Sequence, residues 1–215
     1  LIEAGCVSSL IMGLKHQAAS ARKWRAAIRQ VERHFPAYLP RLLFLTDPKR
    51  TPDPIAVART LPVGSGIIYR HFGARDRETV AHQLQDICAQ CGIGLLIAGD
   101  PALALSVGAD GVHWPEARLA EARKWRGQFR LQTASAHSSM AIRRAVASGM
   151  DAVLVSAVFP SLSPSAPDPI GAQRLRALAR RADIPVYALG GVNADNAERV
   201  ASDAGLAAIE GLISS

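Results

Sequence analysis

The chain has 215 residues, of which 49% are hydrophobic and 5% aromatic, and it carries a formal net charge of +7. This length and apolar content suffice to bury a substantial core in one large domain or two small ones. No apolar run is long enough to span a bilayer, and residues 1–14 lack the basic segment that opens a signal peptide. We therefore expect a cytoplasmic protein with no membrane partner.

The excess positive charge raises the question of nucleic-acid binding. The basic residues recur at helical spacing and are not interleaved with aromatic ones, which is typical of solvated helix faces. We therefore expect no nucleic-acid partner, although the charge suits a phosphorylated substrate. The few cysteines favour a reducing compartment, and the C-x-x-C pair Cys88 and Cys91 closes a predicted helix, the wrong end for a reactive thiol.

The first element in chain order is a helix predicted over residues 18–34. Its apolar stripe comprises Trp24, Ile28, Val31 and Phe35, a pattern typical of a helix that packs on a neighbouring domain or subunit. We assign residues 1–39 to an N-terminal helical extension and residues 40–215 to the main domain. Packing on a partner subunit remains open, so a homo-oligomer is one alternative.

From residue 40 onward, short apolar runs alternate with segments of helical spacing. The runs show little polar alternation, which indicates strands buried on both faces of a parallel sheet. The predicted strands are residues 41–46, 66–70, 93–98, 111–114, 130–134, 152–157, 186–189 and 206–210. Helices are predicted over 53–61, 76–91, 101–107, 115–125, 138–148, 171–182 and 194–204.

Eight such strand–helix units predict an α/β fold of the (βα)8 TIM-barrel type. A doubly wound open sheet is the alternative, but it usually has fewer units and an early G-x-G-x-x-G turn, which is absent here. In a barrel, catalytic and binding residues lie at the carboxyl ends of the strands. Functional residues are therefore expected in the segments that follow each predicted strand.

Gly190 and Gly191 follow the seventh predicted strand and precede a predicted helix. Two glycines let the backbone approach a ligand closely, and a helix that starts at Asn193 or Asp195 would direct N–H groups to the same place. A simple tight turn is the alternative. Because phosphate sites in such barrels usually follow strands seven and eight, we predict phosphate binding here.

Several motifs occur in the order and spacing of the thiamine phosphate synthase/TenI superfamily, which residues 40–210 resemble. The motifs are residues 108–113 (GADGVH), 135–138 (SAHS), 149–160, 169–171 (PIG) and 184–192 (IPVYALGGV). The resemblance implies a barrel of thiamine biosynthesis that binds a phosphorylated thiazole. It also implies phosphate contacts from the double glycine and Gly211, with Ser161 and Ser163 adding hydroxyl groups.

Synthases of this superfamily join a pyrimidine diphosphate to thiazole phosphate and use Mg²⁺ held by two carboxylates. Gly99 and Arg118 stand at the positions that match those carboxylates, and only Arg70 matches the diphosphate contacts after strand two. Asp100 and Glu116 are the remaining candidates for Mg²⁺ under this alternative. The resemblance is therefore incomplete at the metal and diphosphate end.

TenI-type proteins of the same superfamily move a proton on a thiazole phosphate and need no metal. By resemblance His137 is the proton carrier, and imidazole can both accept and donate a proton near neutral pH. We predict a metal-independent, cofactor-free thiazole phosphate tautomerase with His137 as catalytic residue. Two alternatives remain open, the Mg²⁺-dependent synthase and a catalytically inactive barrel that binds a phosphorylated ligand.

Overall fold

The computed structural model contains a closed barrel of parallel strands in sequential order, β1 to β8. It describes residues 2–161, 167–210 and 212, with side chains from residue 17 onward. The strands are β1 (Leu42–Leu45), β2 (Gly66–Tyr69), β3 (Gly94–Ala98), β4 (Gly111–Trp114), β5 (Leu131–Ala136), β6 (Ala152–Val155), β7 (Val186–Ala188) and β8 (Gly205–Ala208). The pairing of β1 with β8, Leu43 opposite Ala207, closes the barrel.

The burial of the strand residues agrees with a closed barrel. Every residue of β1, β2, β4, β6, β7 and β8 is buried, because one face points into the barrel and the other is covered by helices. The prediction of a (βα)8 barrel is confirmed, and the open sheet is excluded. All eight predicted strands occur, with ends that differ by at most two residues.

The helices lie outside the barrel and agree less closely with the prediction. They are α1 (Ile2–Glu32), α2 (Pro54–Ala58), α3 (Arg77–Cys91), α4 (Pro101–Ser106), α5 (Leu119–Ala122), α6 (Ser139–Ala147) and α7 (Gly171–Ala179). The helix predicted over residues 115–125 is instead a four-residue α-helix between two 3₁₀ turns, Glu116–Arg118 and Arg123–Trp125. None of the helices in the described part of the chain is both long and apolar enough to cross a bilayer.

The N-terminal helix α1 packs against the barrel. Trp24, Val31 and Phe35 are buried in the same core as the strands. The Phe35 ring meets the Tyr187 ring of β7 edge-on at 5.0 Å, and His34 Nε2 lies 2.8 Å from the carbonyl of Ala201. The predicted apolar stripe is therefore confirmed as a packing face, whereas the domain division after residue 39 stays a prediction.

The prediction of a helix over residues 194–204 was wrong. The segment forms turns around one short 3₁₀ turn, Ala197–Arg199. The Asn193 side chain accepts from the N–H of Asp195, and Asn196 accepts from the N–H of Asn193 while donating to the Gly191 carbonyl at 2.8 Å. Such side-chain bonds to the local backbone compete with helix formation, so no helix dipole points at the double glycine.

Candidate active site at the mouth of the barrel

A cavity of about 590 Å³ opens at the carboxyl ends of the strands. All eight strands or the segments that follow them contribute to its wall. Of the predicted site residues, it is lined by Arg70, His137, Ser161, Gly190 and Gly191. Ser163 and Gly211 lie outside the described residues. The structure thus brings five of the predicted residues to one pocket of the size that holds a small ligand.

The double glycine is required by the chain's own packing. Gly190 and Gly191 have φ values of +90° and +66°, which L side chains rarely adopt. A Cβ at Gly190 would lie 2.7 Å from the Cα of Ala157, and one at Gly191 would lie 2.2 Å from the carbonyl oxygen of Pro160. The glycines therefore let the loop after β6 cross close to the end of β7. They make a tight turn, as the alternative to a phosphate site required, although a turn does not exclude phosphate binding.

The same turn leaves backbone donors at the cavity wall. Within the described residues, no acceptor is assigned to the N–H groups of Gly190, Gly191 or Val192. All three residues line the cavity. Because backbone N–H groups of successive turn residues can bind an anion together, this turn is a candidate phosphate site that needs no helix dipole.

Two arginines line the cavity on the side of β1 and β2: Arg50 in the loop after β1, and Arg70 directly after β2. The Arg70 Nε donates to the carbonyl of Thr46 at 2.8 Å, and Arg50 pairs with Asp47 at 2.9 Å and with Glu210 at 3.6 Å. Although burial alone raises the pKa of Asp47, hydrogen bonds from the Arg50 side chain and from neighbouring backbone N–H groups lower it to about 2. Asp47 therefore stays ionised, and it pairs with the side chains of both Arg50 and Arg70.

Sequence reasoning missed Arg50. It lies in the loop after β1, a segment in which functional residues were expected, but Arg50 itself was not among the candidates. The available signal was its spacing, three residues after Asp47, which suits a local ion pair.

His137 is oriented by two hydrogen bonds. Its Nδ1 lies 3.0 Å from the carbonyl oxygen of Ser156, and its backbone N–H donates to Glu116 Oε2 at 3.3 Å. A carbonyl only accepts, so this contact requires a proton on Nδ1, and in the neutral ring the lone pair is then on Nε2. His137 lies at the cavity wall and is exposed, so the arrangement can accept a proton from a bound ligand.

His113 lies deeper and has a different environment. Its Nδ1 is 2.9 Å from Thr133 Oγ1 and its Nε2 is 3.0 Å from Ser135 Oγ. Burial, together with the positive charge of Arg70, lowers the pKa of His113 to about 3. His113 is therefore neutral at physiological pH and can hold the two hydroxyl groups in place.

The two candidate magnesium ligands are already engaged. Asp100 caps α4 through the N–H of Leu103 and pairs with Arg77 at 2.5 Å. Glu116 pairs with Arg144 and accepts from the His137 N–H. No group of three or more His, Cys, Asp or Glu side chains that could hold a metal occurs in the described residues. Mg²⁺ requires several free oxygen ligands in near-octahedral geometry, so these residues do not fit it.

Fold and site together define a (βα)8-barrel protein whose mouth holds a glycine turn, two arginines and a histidine that contacts the Ser156 carbonyl. The model of the thiamine monophosphate synthase family (TMP-TENI) matches residues 42–212, so the chain belongs to that family.

Similar proteins agree with this assignment. A thiamine-phosphate synthase from Salinispora arenicola is 33% identical over 186 residues, which cover 81% of this chain and 89% of the relative. One from Prochlorococcus marinus is 30% identical over 157 residues, which cover 71% of this chain but only 44% of that longer relative. The structure of thiamine phosphate pyrophosphorylase from Pyrococcus furiosus shares the fold, with a TM-score of 0.68, 24% identity, and coverage of 78% and 84% of the two chains.

Proposed function

We propose that this protein acts in thiamine biosynthesis as a thiamine-phosphate synthase, joining a thiazole phosphate to a pyrimidine that carries a diphosphate. The observation that carries the proposal is the turn of Gly190, Gly191 and Val192, which lines the cavity and whose N–H groups have no acceptor among the described residues. The names of the relatives supply the reaction type. They favour coupling over the tautomerase reaction that the sequence motifs alone predicted.

The proposal assigns a place to each end of the thiazole phosphate. Its phosphate would accept from the N–H groups of Gly190, Gly191 and Val192, with Ser161 at the adjacent rim. Its ring would then lie over the centre of the barrel, beside His137 and Ser135. Ser163 and Gly211 stay predicted phosphate contacts.

The second substrate would enter from the side of Arg70. In coupling, a lone pair on the thiazole ring nitrogen forms a bond to the pyrimidine methylene carbon. The bond from that carbon to the diphosphate oxygen breaks, and the diphosphate leaves with the bonding electrons. A fixed cation such as Arg70 stabilises the charge that develops on the leaving group. A cavity of about 590 Å³ lies within the range that binds such small molecules.

The tautomerase stays a second candidate because one observation favours it. The contact between His137 Nδ1 and the Ser156 carbonyl leaves Nε2 free to remove and return a proton on a bound ring. This reaction needs no diphosphate and no metal, which agrees with the engaged carboxylates of Asp100 and Glu116.

Two assays on the purified protein separate these functions. In the first, thiazole phosphate and pyrimidine diphosphate are mixed with enzyme, and thiamine phosphate is measured by chromatography and mass spectrometry. In the second, the non-aromatic thiazole phosphate tautomer is supplied alone and its ring absorbance is followed. We expect turnover in the first assay. Turnover only in the second would replace the synthase by the tautomerase, and binding without turnover in either would leave a ligand-binding barrel.

A further inference from the structure

Arg118 lies at the ends of β3 and β4, at a position where the resemblance to the synthases implies a carboxylate that binds Mg²⁺. Arg118 Nη1 donates to the carbonyl oxygen of Gly99 at 2.5 Å. Its Nε and Nη2 donate to the two carboxylate oxygens of Glu121 at 2.8 and 2.7 Å. These three bonds fix the guanidinium plane at the end of β3.

This guanidinium adjoins the cavity. A Cβ built on Gly99 would lie 3.0 Å from Arg118 Nη1, 3.7 Å from the Phe72 ring and 3.8 Å from the Pro115 ring. Phe72 and Pro115 line the cavity, and the Phe72 side chain is exposed. Arg118 therefore lies just behind the rim over which a second ligand would enter.

Arg118 also keeps donors available for a ligand. A guanidinium has five N–H groups, and three of them are engaged in the bonds to Gly99 and Glu121. The side chain is 41% exposed, so the remaining donors can reach solvent or a ligand. Two donors in one plane match the geometry of phosphate oxygens.

A second arginine, which pairs with Asp100, lies along the same rim. Arg77 donates to the carbonyl of Ala98 at 3.2 Å, and its guanidinium lies 5.6 Å from the centre of the Phe72 ring. The carbonyl oxygens of Ala98 and Gly99, which could ligate a cation, are thus both occupied by guanidinium groups. A divalent ion placed here would meet guanidinium groups, and the nearby carboxylates of Asp100 and Glu121 are already paired with them.

We propose that Arg118 is an anion-binding residue that takes the place of a divalent cation, so that this barrel binds a diphosphate group over Phe72 and Pro115 without metal. The assignment of diphosphate as the anion rests on the proposed synthase function. Glu121 offsets part of the charge, so the contribution of Arg118 to affinity is moderate rather than dominant.

The test uses inorganic pyrophosphate as the probe, titrated by calorimetry into the metal-stripped protein with EDTA and, separately, with Mg²⁺. We expect binding in EDTA, with no more than a twofold gain from Mg²⁺. Arg118→Ala should weaken pyrophosphate binding by about fivefold to twentyfold. Arg181→Ala is the matched control, because Arg181 is exposed beyond the far end of α7, and it should leave affinity unchanged.

A parallel titration with inorganic phosphate separates this inference from the proposed function. Phosphate binding at the glycine turn should be the same in the wild type and Arg118→Ala. If phosphate binds but pyrophosphate needs Mg²⁺, or if Arg118→Ala binds pyrophosphate as the wild type does, the role of Arg118 is refuted while the phosphate site stands. If neither anion binds, both proposals fail.

Discussion

The α-carbon of Gly191 lies so close to the carbonyl of Pro160 that a Cβ added there would stand 2.2 Å from the oxygen. This contact joins the loop after β6 to the end of β7. It sets the turn of Gly190, Gly191 and Val192, which line the cavity and whose N–H groups have no acceptor among the described residues. The packing of the barrel and the proposed phosphate site therefore depend on the same atoms.

Replacing Gly191 by alanine should reduce both stability and phosphate binding. The φ of +66° alone costs about 1–3 kcal/mol for a residue with a Cβ. The overlap with Pro160 would add to this cost, since backbone atoms must move. Urea unfolding and calorimetric titration with inorganic phosphate measure the two losses.

Gly64→Ala is the matched control for this substitution. Gly64 has a φ of +78°, but a Cβ added there would have no other atom within 4 Å. It should show the backbone strain without the overlap, and phosphate binding should be unchanged. Equal unfolding free energies and equal phosphate affinities for the two variants would contradict the role given to Gly191.

The close approach of Gly99 and Arg118 predicts that their substitutions are coupled. A Cβ at residue 99 would lie 3.0 Å from Arg118 Nη1, and φ there is +60°. Gly99→Ala should be less destabilising when Arg118 is also alanine, by about 0.5–1 kcal/mol. Unfolding free energies of the two single variants and the double variant give this coupling directly, and strict additivity would count against it.

Buried His113 predicts a loss of stability in mild acid. Its pKa is about 3 in the folded protein, against 6.5 for an unperturbed histidine. Between these values the unfolded chain binds a proton that the folded protein does not. Stability should therefore fall as the pH drops below about 6.5, by about 2 kcal/mol from this group at pH 5.

Urea unfolding at pH 7, 6 and 5 measures this dependence, with His113→Gln as the comparison. The variant lacks the titrating ring, so its stability should decline less over the same range. Parallel declines in the two proteins would show that His113 does not titrate as its burial requires.

His137→Ala tests the proton-transfer candidate separately from binding. If the free Nε2 acts as a general base, tautomerase turnover should fall by about 10²–10⁴-fold. Affinity for thiazole phosphate should change by less than about twofold, because the proposed phosphate contacts come from the glycine turn. Full tautomerase turnover in the variant would remove His137 from that role.

Much of the fold could be predicted from sequence because buried parallel strands have a strong local pattern. Runs such as residues 93–98 contain only apolar or small residues, and no alternative element accounts for eight of them at this spacing. The helix predicted over residues 194–204 failed for a local reason. Asn193 and Asn196 bond to nearby backbone groups, and apolar periodicity does not register that competition.

The sequence predicted those site residues that directly follow a strand, because the ends of the barrel strands are a known location of functional residues. Strand ends located Arg70, His137 and the double glycine at the cavity. The bond from Arg118 to the Gly99 carbonyl joins residues nineteen positions apart in sequence, and its geometry depends on the packed rim. Sequence showed that Gly99 and Arg118 replace two carboxylates, but it did not show that the Arg118 guanidinium bonds to the Gly99 carbonyl.

The central claim is that the glycine turn after β7 binds the phosphate of a thiazole phosphate. Calorimetric titration of the wild-type protein with thiazole phosphate and with the corresponding unphosphorylated thiazole alcohol tests it most directly. We predict that the phosphate ester binds at least about 100-fold more tightly, since charge-assisted bonds to several N–H groups each contribute about 1.5–3 kcal/mol. Equal affinity for the two compounds would contradict the account.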